Sequence, residues 1–497
     1  MKKIRNISTN IIANIGLQIT TILCGLIIPR LIITTYGSEI NGMITSITQF
    51  LGYITLLEAG MGSVVKAALY KPLANRDSTA VSGIVQATNN FFRRIAYIFV
   101  IYLIVLAIFY QNIAHTNFDF MFSFSLVLIL GISTFIQYYF GITYQILLQA
   151  DQKIWLTSGL QILTLVINTI FTFVLIKLHC SIHLVKITTA FIFAIRPIVY
   201  SIYVKKYKLN NKTKKDNYSI SQIWDGLGHH LAYFIHTNTD IALLTIFCGV
   251  KEVSVYSVFF MVVNGVKSLV NSVATAIEPF FGELLVASDK KKVEKAFNLY
   301  ESLNILLIAI VFTSTAVLIQ PFVSVYTSGI SDANYCRPIF GILITAAEAA
   351  YSLRNPYSSI IFASGHFKQT RNGAFIEAII NIVISLVLVK PLGIIGVAIG
   401  TFISMLLRSF QYIWYLKNNI LYRRVLVSVK KMVIMSLAIV LSVVLSMHID
   451  FAVFNYFQWI LLAIMRFGII SLTTFVIYGL AYRRQLKYII ILIKERR

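Results

Sequence analysis

Long apolar runs, separated by short polar segments, occupy the chain from end to end. A helix that crosses a bilayer needs about 20 mostly apolar residues. Runs of this kind lie at 9–34, 40–65, 91–111, 119–148, 155–177, 183–204, 224–247, 253–281, 298–320, 338–364, 372–389, 393–416, 431–448 and 457–482. No connecting segment is long enough to hold an inserted soluble domain. The pattern predicts an all-α polytopic membrane protein with about fourteen transmembrane helices.

Composition and charge agree with this prediction if the charged residues lie outside the lipid. The 497 residues are 58% hydrophobic and only 12% charged, which excludes a soluble globular domain, a disordered tail and a coiled coil. The net charge is +24. With the N-terminus inside and strict alternation, 32 of the 43 basic residues fall on inner segments and five on outer ones. By the positive-inside rule we expect both termini in the cytoplasm, contact with anionic inner-leaflet lipids, and no nucleic-acid partner.

Two pairs of segments repeat along the chain. The sixth predicted span ends in RPIVYSIYVK (196–205), and the twelfth ends in RSFQYIWYLK (408–417), 212 residues later. The fifth span contains INTIFTFVLIK (167–177), and the eleventh contains INIVISLVLVK (380–390) at an offset of 213. Repeats of this kind in transporters relate two halves by a pseudo-symmetry axis.

Gly37 and Gly249 give a third match, because each lies in the outer turn after the first span of its half, 212 residues apart. Three matches at one offset predict two six-helix lobes related by a pseudo-two-fold axis along the membrane normal. We expect an N-terminal lobe at 1–205, a basic cytoplasmic linker at 206–223, a C-terminal lobe at 224–417, and two additional helices with a basic tail at 418–497.

Polar side chains follow one face of the eighth predicted span. At helical spacing they form a stripe about 21 Å long. Its members are Asn264, Lys267, Ser268, Asn271, Thr275 and Glu278. Polar groups inside a span are costly unless they face protein or water, so the stripe favours a wet cavity. Lys267, with Asn264 and Asn271, is our candidate for substrate binding; the alternative for Lys267 is a structural ion pair.

Further candidates for substrate binding lie elsewhere in the chain. Thr55 of the second span is the repeat equivalent of Lys267. Arg30 follows Pro29 near the outer end of the first span, where its alternative role is to snorkel to the interface. In the tenth span, Pro356 should kink the helix, and Arg354 can bind phosphate. Glu348 and Arg354 are six residues apart and point about 120° away from each other, so we expect no direct pair.

Acidic residues and histidines inside the spans are candidates for ion coupling. His229, His236 and Asp240 share one face of the seventh span, and Glu58 and Glu348 lie in the second and tenth. A buried carboxylate beside an imidazole can exchange a proton or hold Na⁺. The alternative is an internal hydrogen-bonded pair that fixes the helix. The spacing supplies no closed coordination shell, so we expect no metal site and no cofactor.

The chain resembles the Wzx-like polysaccharide flippases of the multidrug/oligosaccharidyl-lipid/polysaccharide (MOP) exporter superfamily. The resemblance is carried by IIPRLIITTYGSEINGMITSITQFLGYITLLEAGMG (27–62), LYKPLANRD (69–77), TNTDIALLTIFCGVKEVSVYSVFFMVVNGVKSLV (237–270) and LRNPYSSIIFASGHFKQTRNGAFIEAIINIVISLVLVKPLGIIGVAIGTFISMLLRS (353–409). It covers essentially the whole chain. It implies two lobes that open alternately, and a cationic cavity that maps here onto Lys267, Arg354 and Arg30.

The resemblance also implies a function and a location. The cargo would be a polyprenyl-diphosphate-linked oligosaccharide, moved from the inner to the outer leaflet of the bacterial plasma membrane, with H⁺ or Na⁺ as coupling ion. Polysaccharide polymerases and glycosyltransferases would be partners. The protein would not be an enzyme. The alternatives are a drug/cation antiporter on the same fold, a membrane glycosyltransferase or polymerase, and a non-transporting scaffold.

Overall fold

The computed structural model describes residues 2–58, 60–210, 227–287, 290–449 and 451–483. Within these ranges all regular secondary structure is helical. Twelve helices in the described chain are long and apolar enough to cross a membrane. The predicted all-α polytopic architecture is therefore confirmed.

The chain forms two compact units, Met1–Val255 and Tyr256–Arg497. The helices that lie wholly in the first unit are α1 (Lys2–Tyr36), α2 (Ser38–Gly52), α3 (Met61–Ala74), α4 (Ser78–Ala114), α5 (Phe120–Ile136), α6 (Ile142–Ala150), α7 (Ile154–Lys177), α8 (Ile182–Val204) and α9 (Leu227–Phe247). The first unit thus includes the seventh predicted span as α9. The division at 206–223 and 418 stays a prediction, and residues 211–226 of the linker lie outside the described residues.

The boundary between the units falls within α10 (Val250–Ala287). The remaining helices are α11 (Lys290–Tyr326), α12 (Pro338–Leu353), α13 (Asn355–Ala363), α14 (Phe367–Leu392), α15 (Ile394–Asn419), α16 (Val425–Met447) and α17 (Tyr456–Ala481). Twelve of the fourteen predicted spans correspond to the twelve long apolar helices of the described chain. The seventh and tenth spans do not. The apolar part of α9 that is described runs from Asn238 to Phe247, and the tenth span is divided between α12 and α13.

The tenth span breaks where Pro356 predicts a kink. Its ring nitrogen has no hydrogen to donate to the carbonyl of Ser352, four residues earlier. Asn304 of α11 supplies the missing donor, because its Nδ2 lies 3.2 Å from that carbonyl oxygen. The helix restarts at Asn355, after Arg354 at the junction. A side chain from a neighbouring helix therefore makes the break tolerable inside the protein.

The second predicted span is also interrupted. Helix α2 ends at Gly52, a 3₁₀ turn covers Tyr53–Leu57, and α3 begins at Met61 after Gly60, which has a φ of 80°. The prediction of one continuous helix over 40–65 is therefore wrong. The apolar pattern continues through the interruption, so hydropathy could not reveal it.

Positions one repeat apart share local structure. Gly37 and Gly249, which precede α2 and α10, have φ values of 88° and 83°, a conformation that glycine adopts without a steric penalty. Arg196 of α8 donates to Thr164 Oγ1 of α7 at 2.6 Å. Arg408 of α15 donates to the Thr370 carbonyl of α14 at 3.1 Å. Each motif arginine thus bridges the last two helices of its half.

Candidate substrate and ion site

A buried ion pair joins α10 to α12. Lys267 Nζ lies 2.8 Å from Glu348 Oε2, and the two side chains are 8% and 4% exposed. On α10, Lys267 shares a face with Val263 and Val270, both of which are buried. Lys267 therefore points into the interior of the second unit, and two oppositely charged candidates of the sequence analysis lie in contact.

The aromatic ring of Tyr351 links this pair to Arg354. Lys267 Nζ lies 4.2 Å from the ring centroid, and Arg354 Cζ lies 3.8 Å from it. Both distances fit cation–π contacts. Glu348 and Arg354 have different partners, as their separation on the helix predicts. The Tyr351 ring thus brings Lys267 and Arg354 together at the end of α12.

Arg354 pairs in turn with an acid on α14. Its Nη1 lies 2.8 Å from Glu377 Oε1, and Arg408 Nε lies 3.5 Å from Glu377 Oε2. These contacts complete a charged network. Its members are Lys267, Glu348, Tyr351, Arg354, Glu377 and Arg408. Among the described contacts, the network joins three basic side chains to two carboxylates.

The polar stripe on α10 continues beside the helix break. Asn271 lies one turn after Lys267, and its Oδ1 accepts a 3.0 Å hydrogen bond from Nδ2 of Asn355, the first residue of α13. Asn264 is exposed, in contrast to Lys267. The stripe therefore has two environments: Lys267 and Asn271 contact α12 and α13, while Asn264 is exposed.

In the first unit, Asp240 is buried on α9. Two residues earlier, Asn238 Oδ1 accepts from Gln49 Nε2 of α2, and the Asn238 carbonyl accepts from Tyr53 at 3.3 Å. These bonds fix α9 against α2 and place Asp240 among packed helices. The side chains of His229 and His236 lie outside the described residues. The predicted pairing of these histidines with Asp240 therefore remains a prediction.

Glu58 lies where the break after α2 contacts the break between α5 and α6. It follows the 3₁₀ turn at the end of α2, and it accepts a hydrogen bond from Tyr138. Tyr138 belongs to a π-helical turn, Gln137–Gly141, between α5 and α6. Such turns occur often at functional sites.

The two remaining candidates have simpler surroundings. Thr55 lies in the 3₁₀ turn, and its hydroxyl donates to the Gly52 carbonyl at 2.8 Å, which closes the turn on itself. Arg30 is half-buried on α1, and its carbonyl accepts from Thr34. Both residues belong to the first unit, whereas Lys267 and Arg354 belong to the second.

The sequence analysis did not identify Glu377 and Tyr351 as site residues. Glu377 could have been identified, because a carboxylate inside an apolar span costs free energy unless a partner lies nearby. Arg408 carried a second signal as the first residue of the repeated motif. Tyr351 carried none, since an aromatic residue in a membrane helix is ordinary.

The described architecture is that of the lipid flippase MurJ and of the multidrug resistance (MATE) transporters of the MOP superfamily. The structure titled "Lipid II flippase MurJ, inward closed conformation" matches with a TM-score of 0.72 and 14% identity, over 96% of this chain and 100% of that one. An inward-facing MATE transporter of the MOP superfamily matches with a TM-score of 0.62 and 13% identity, over 80% of this chain and 93% of that one.

The eukaryotic MATE transporter AtDTX14 matches with a TM-score of 0.55 and 14% identity, over 87% of this chain and 99% of that one. No protein-family model matches the chain, and no curated protein sequence matches it either. At these sequence identities the comparisons establish the fold and do not identify the cargo.

Proposed function

We propose that the protein is a flippase that moves a polyprenyl-diphosphate-linked oligosaccharide from the cytoplasmic to the outer leaflet of the bacterial plasma membrane. The glycan would serve cell-surface polysaccharide synthesis, with a polymerase and glycosyltransferases as partners. The charged network carries this proposal, because it gathers three basic side chains inside a membrane-spanning unit. A fold shared with a lipid flippase over 96% of the chain supports it.

The network suits a diphosphate for electrostatic and geometric reasons. Two of its cations, Lys267 and Arg354, lie against one ring, so a single anionic group can reach both. The guanidinium of Arg354 can bind two phosphate oxygens at once. The amides of Asn264 and Asn271 can bind sugar hydroxyls, and the head group would thereby avoid the hydrocarbon. Thr55 and Arg30 are proposed to contribute from the first unit.

Carboxylates in the network offer a route to ion coupling. Protonation of Glu348 would weaken its ion pair with Lys267 and would favour binding of the diphosphate by Lys267. The proton would then be exchanged for cargo during alternating access, because the two states bind cargo and proton differently. Asp240 with His229 and His236, and Glu58 with Tyr138, are proposed as coupling groups for H⁺ or Na⁺ in the first unit.

The test is transport by the purified full chain in liposomes. The probe is fluorescent undecaprenyl-diphosphate N-acetylglucosamine, and its outer-leaflet fraction is measured by dithionite quenching. We expect Lys267→Gln and Arg354→Gln to reduce the flipping rate about tenfold or more, as the loss of a charge-assisted hydrogen bond implies. Lys71→Gln on α3, which is exposed, is the control. Wild-type rates in both network variants would contradict the proposed site.

A drug/cation antiporter is the second candidate, because the MATE transporters share this fold. Two observations favour the flippase. The MurJ match covers 96% of the chain, whereas the two MATE matches cover 80% and 87%. A lack of counterparts to α16 and α17 in the MATE structures would account for this difference. The network also holds three basic side chains, which disfavour a cationic drug. Ethidium efflux in pump-deficient cells would support the antiporter instead.

A further inference from the structure

A cavity of about 690 Å³ lies between α11, α16 and α17, within the second unit. Its lining includes the basic residues Lys295, Arg424, Lys430 and Lys431 and the apolar residues Leu426 and Ile434. None of these residues belongs to the charged network. The volume falls within the range of pockets that hold a small organic ligand.

The polar part of the lining is cationic. Lys295, Arg424 and Lys430 are exposed at the cavity, and Lys431 is buried behind them. No described lining residue is acidic. The distribution of basic residues predicts that this end of the helices is cytoplasmic. The cavity therefore presents three accessible positive charges where inner-leaflet head groups would lie.

The nearest buried acid is already saturated. Glu301 of α11 lies 2.6 Å from both Arg423 Nη2 and Lys431 Nζ, and it accepts 2.7 Å from Tyr357. Two cations thus surround this one carboxylate, and none of the described lining residues of the cavity is acidic. The same bonds fix the start of α16 against α11, so the cavity is formed before any ligand arrives. A preformed site loses less free energy to ordering when it binds.

Most of the remaining lining is apolar, and an apolar surface continues from it along α16. Leu426, at the mouth of the cavity, is 74% exposed. At helical spacing from it, further exposed side chains form an apolar stripe that extends about 27 Å along the helix. The members of this stripe are Leu426, Val433, Leu437, Val440 and Val444. A ligand that fills both regions must have an anionic head and a long apolar body.

We propose that this cavity binds the head group of an anionic phospholipid of the bilayer, with its acyl chains along the apolar stripe of α16. Basic pockets between membrane helices on the cytoplasmic side bind such head groups. The inference does not depend on the proposed cargo. A free phosphate ion would leave the apolar half of the cavity unused. Phospholipid, in contrast, is always present at the cytoplasmic surface of the bilayer, where the cavity is predicted to lie.

The experiment measures lipid retention by the purified full chain in detergent, using native mass spectrometry and thermal unfolding. The variant is the triple Lys295→Gln/Arg424→Gln/Lys430→Gln. The matched control is Lys71→Gln/Lys368→Gln/Arg371→Gln, which removes two lysines and one arginine that are exposed elsewhere. The added probes are phosphatidylglycerol, phosphatidylcholine, inorganic phosphate and undecaprenyl diphosphate, each tested separately.

We expect phosphatidylglycerol, and not phosphatidylcholine, to remain bound to the wild type and the control and to raise their Tm. The triple variant should bind it about tenfold more weakly or worse, with an unchanged Tm in the absence of lipid because the three side chains are exposed. Equal retention by variant and wild type would overturn the proposal. A Tm rise with inorganic phosphate alone would instead indicate a free-anion site, and displacement by undecaprenyl diphosphate would indicate a cargo site. Either result would also overturn it.

Discussion

Lys267 and Glu348 behave as a single unit, because each is buried and each compensates the other's charge. Removal of one partner leaves an unpaired charge in a poorly solvated place and should cost about 3–5 kcal/mol of stability. Removal of both should cost far less, since apolar side chains of similar volume can replace a buried ion pair. Loss of transport in a single variant therefore has two possible causes, damage to the fold or loss of a cargo contact.

The double variant Lys267→Met/Glu348→Met separates these causes. We expect Lys267→Met and Glu348→Met each to lower the Tm of the purified protein and the double variant to regain most of the loss. If Lys267 binds cargo, the double variant should still fail to flip the lipid-linked probe. A double variant with wild-type stability and wild-type flipping would show that the pair is only structural.

Helices α2 and α10 approach each other closely in the first unit. Asn41 Nδ2 donates to Ser254 Oγ at 2.8 Å, and the two residues are one repeat apart at 213 positions. Beside them, a Cβ on Gly42 would lie 1.7 Å from the Val250 carbonyl oxygen. These equivalent helices of the two halves thus meet at a point where no side chain fits.

Gly42→Ala should therefore push the two helices apart and break the bond between Asn41 and Ser254. We expect a loss of about 2 kcal/mol or more, read as a lower Tm and a lower yield of folded protein. Gly52→Ala, at the end of the same helix, is the control, because nothing lies within 4 Å of its Cβ. It should be neutral or stabilising, since alanine favours the helix. Equal Tm values for both variants would refute the close approach.

The accuracy of the sequence analysis differs between elements for physical reasons. The break before Asn355 was predictable because Pro356 removes a hydrogen-bond donor, which is a local property. The interruption of α2 at Gly52 was not, because the 3₁₀ turn carries the same apolar residues as a helix and is fixed by distant contacts such as that between Glu58 and Tyr138. Lys267 was recognised as exceptional from its position alone, whereas its partner on α12 required the packing of helices far apart in sequence.

At the scale of the whole molecule, the distribution of basic residues predicts which side of the membrane each loop faces. An even number of spans would place both termini on the same side, and the excess of basic residues predicts that this side is the cytoplasm, with the segment between α11 and α12 outside. That segment contains Cys336, which is exposed. Cys24 is buried, and Cys180 and Cys248 are partly buried, so Cys336 is the most accessible natural thiol in the chain.

A membrane-impermeant maleimide should therefore label intact cells through Cys336, and Cys336→Ser should remove most of that labelling. In the Cys336→Ser background, Asn418→Cys places a thiol at an exposed position that the charge distribution predicts to be cytoplasmic. It should react only after the cells are permeabilised. Labelling of Asn418→Cys in intact cells, together with no labelling of Cys336 in the wild type, would show that the topology is inverted. The inversion would also move the cavity between α11, α16 and α17 to the outer leaflet, so this measurement decides which leaflet supplies its lipid.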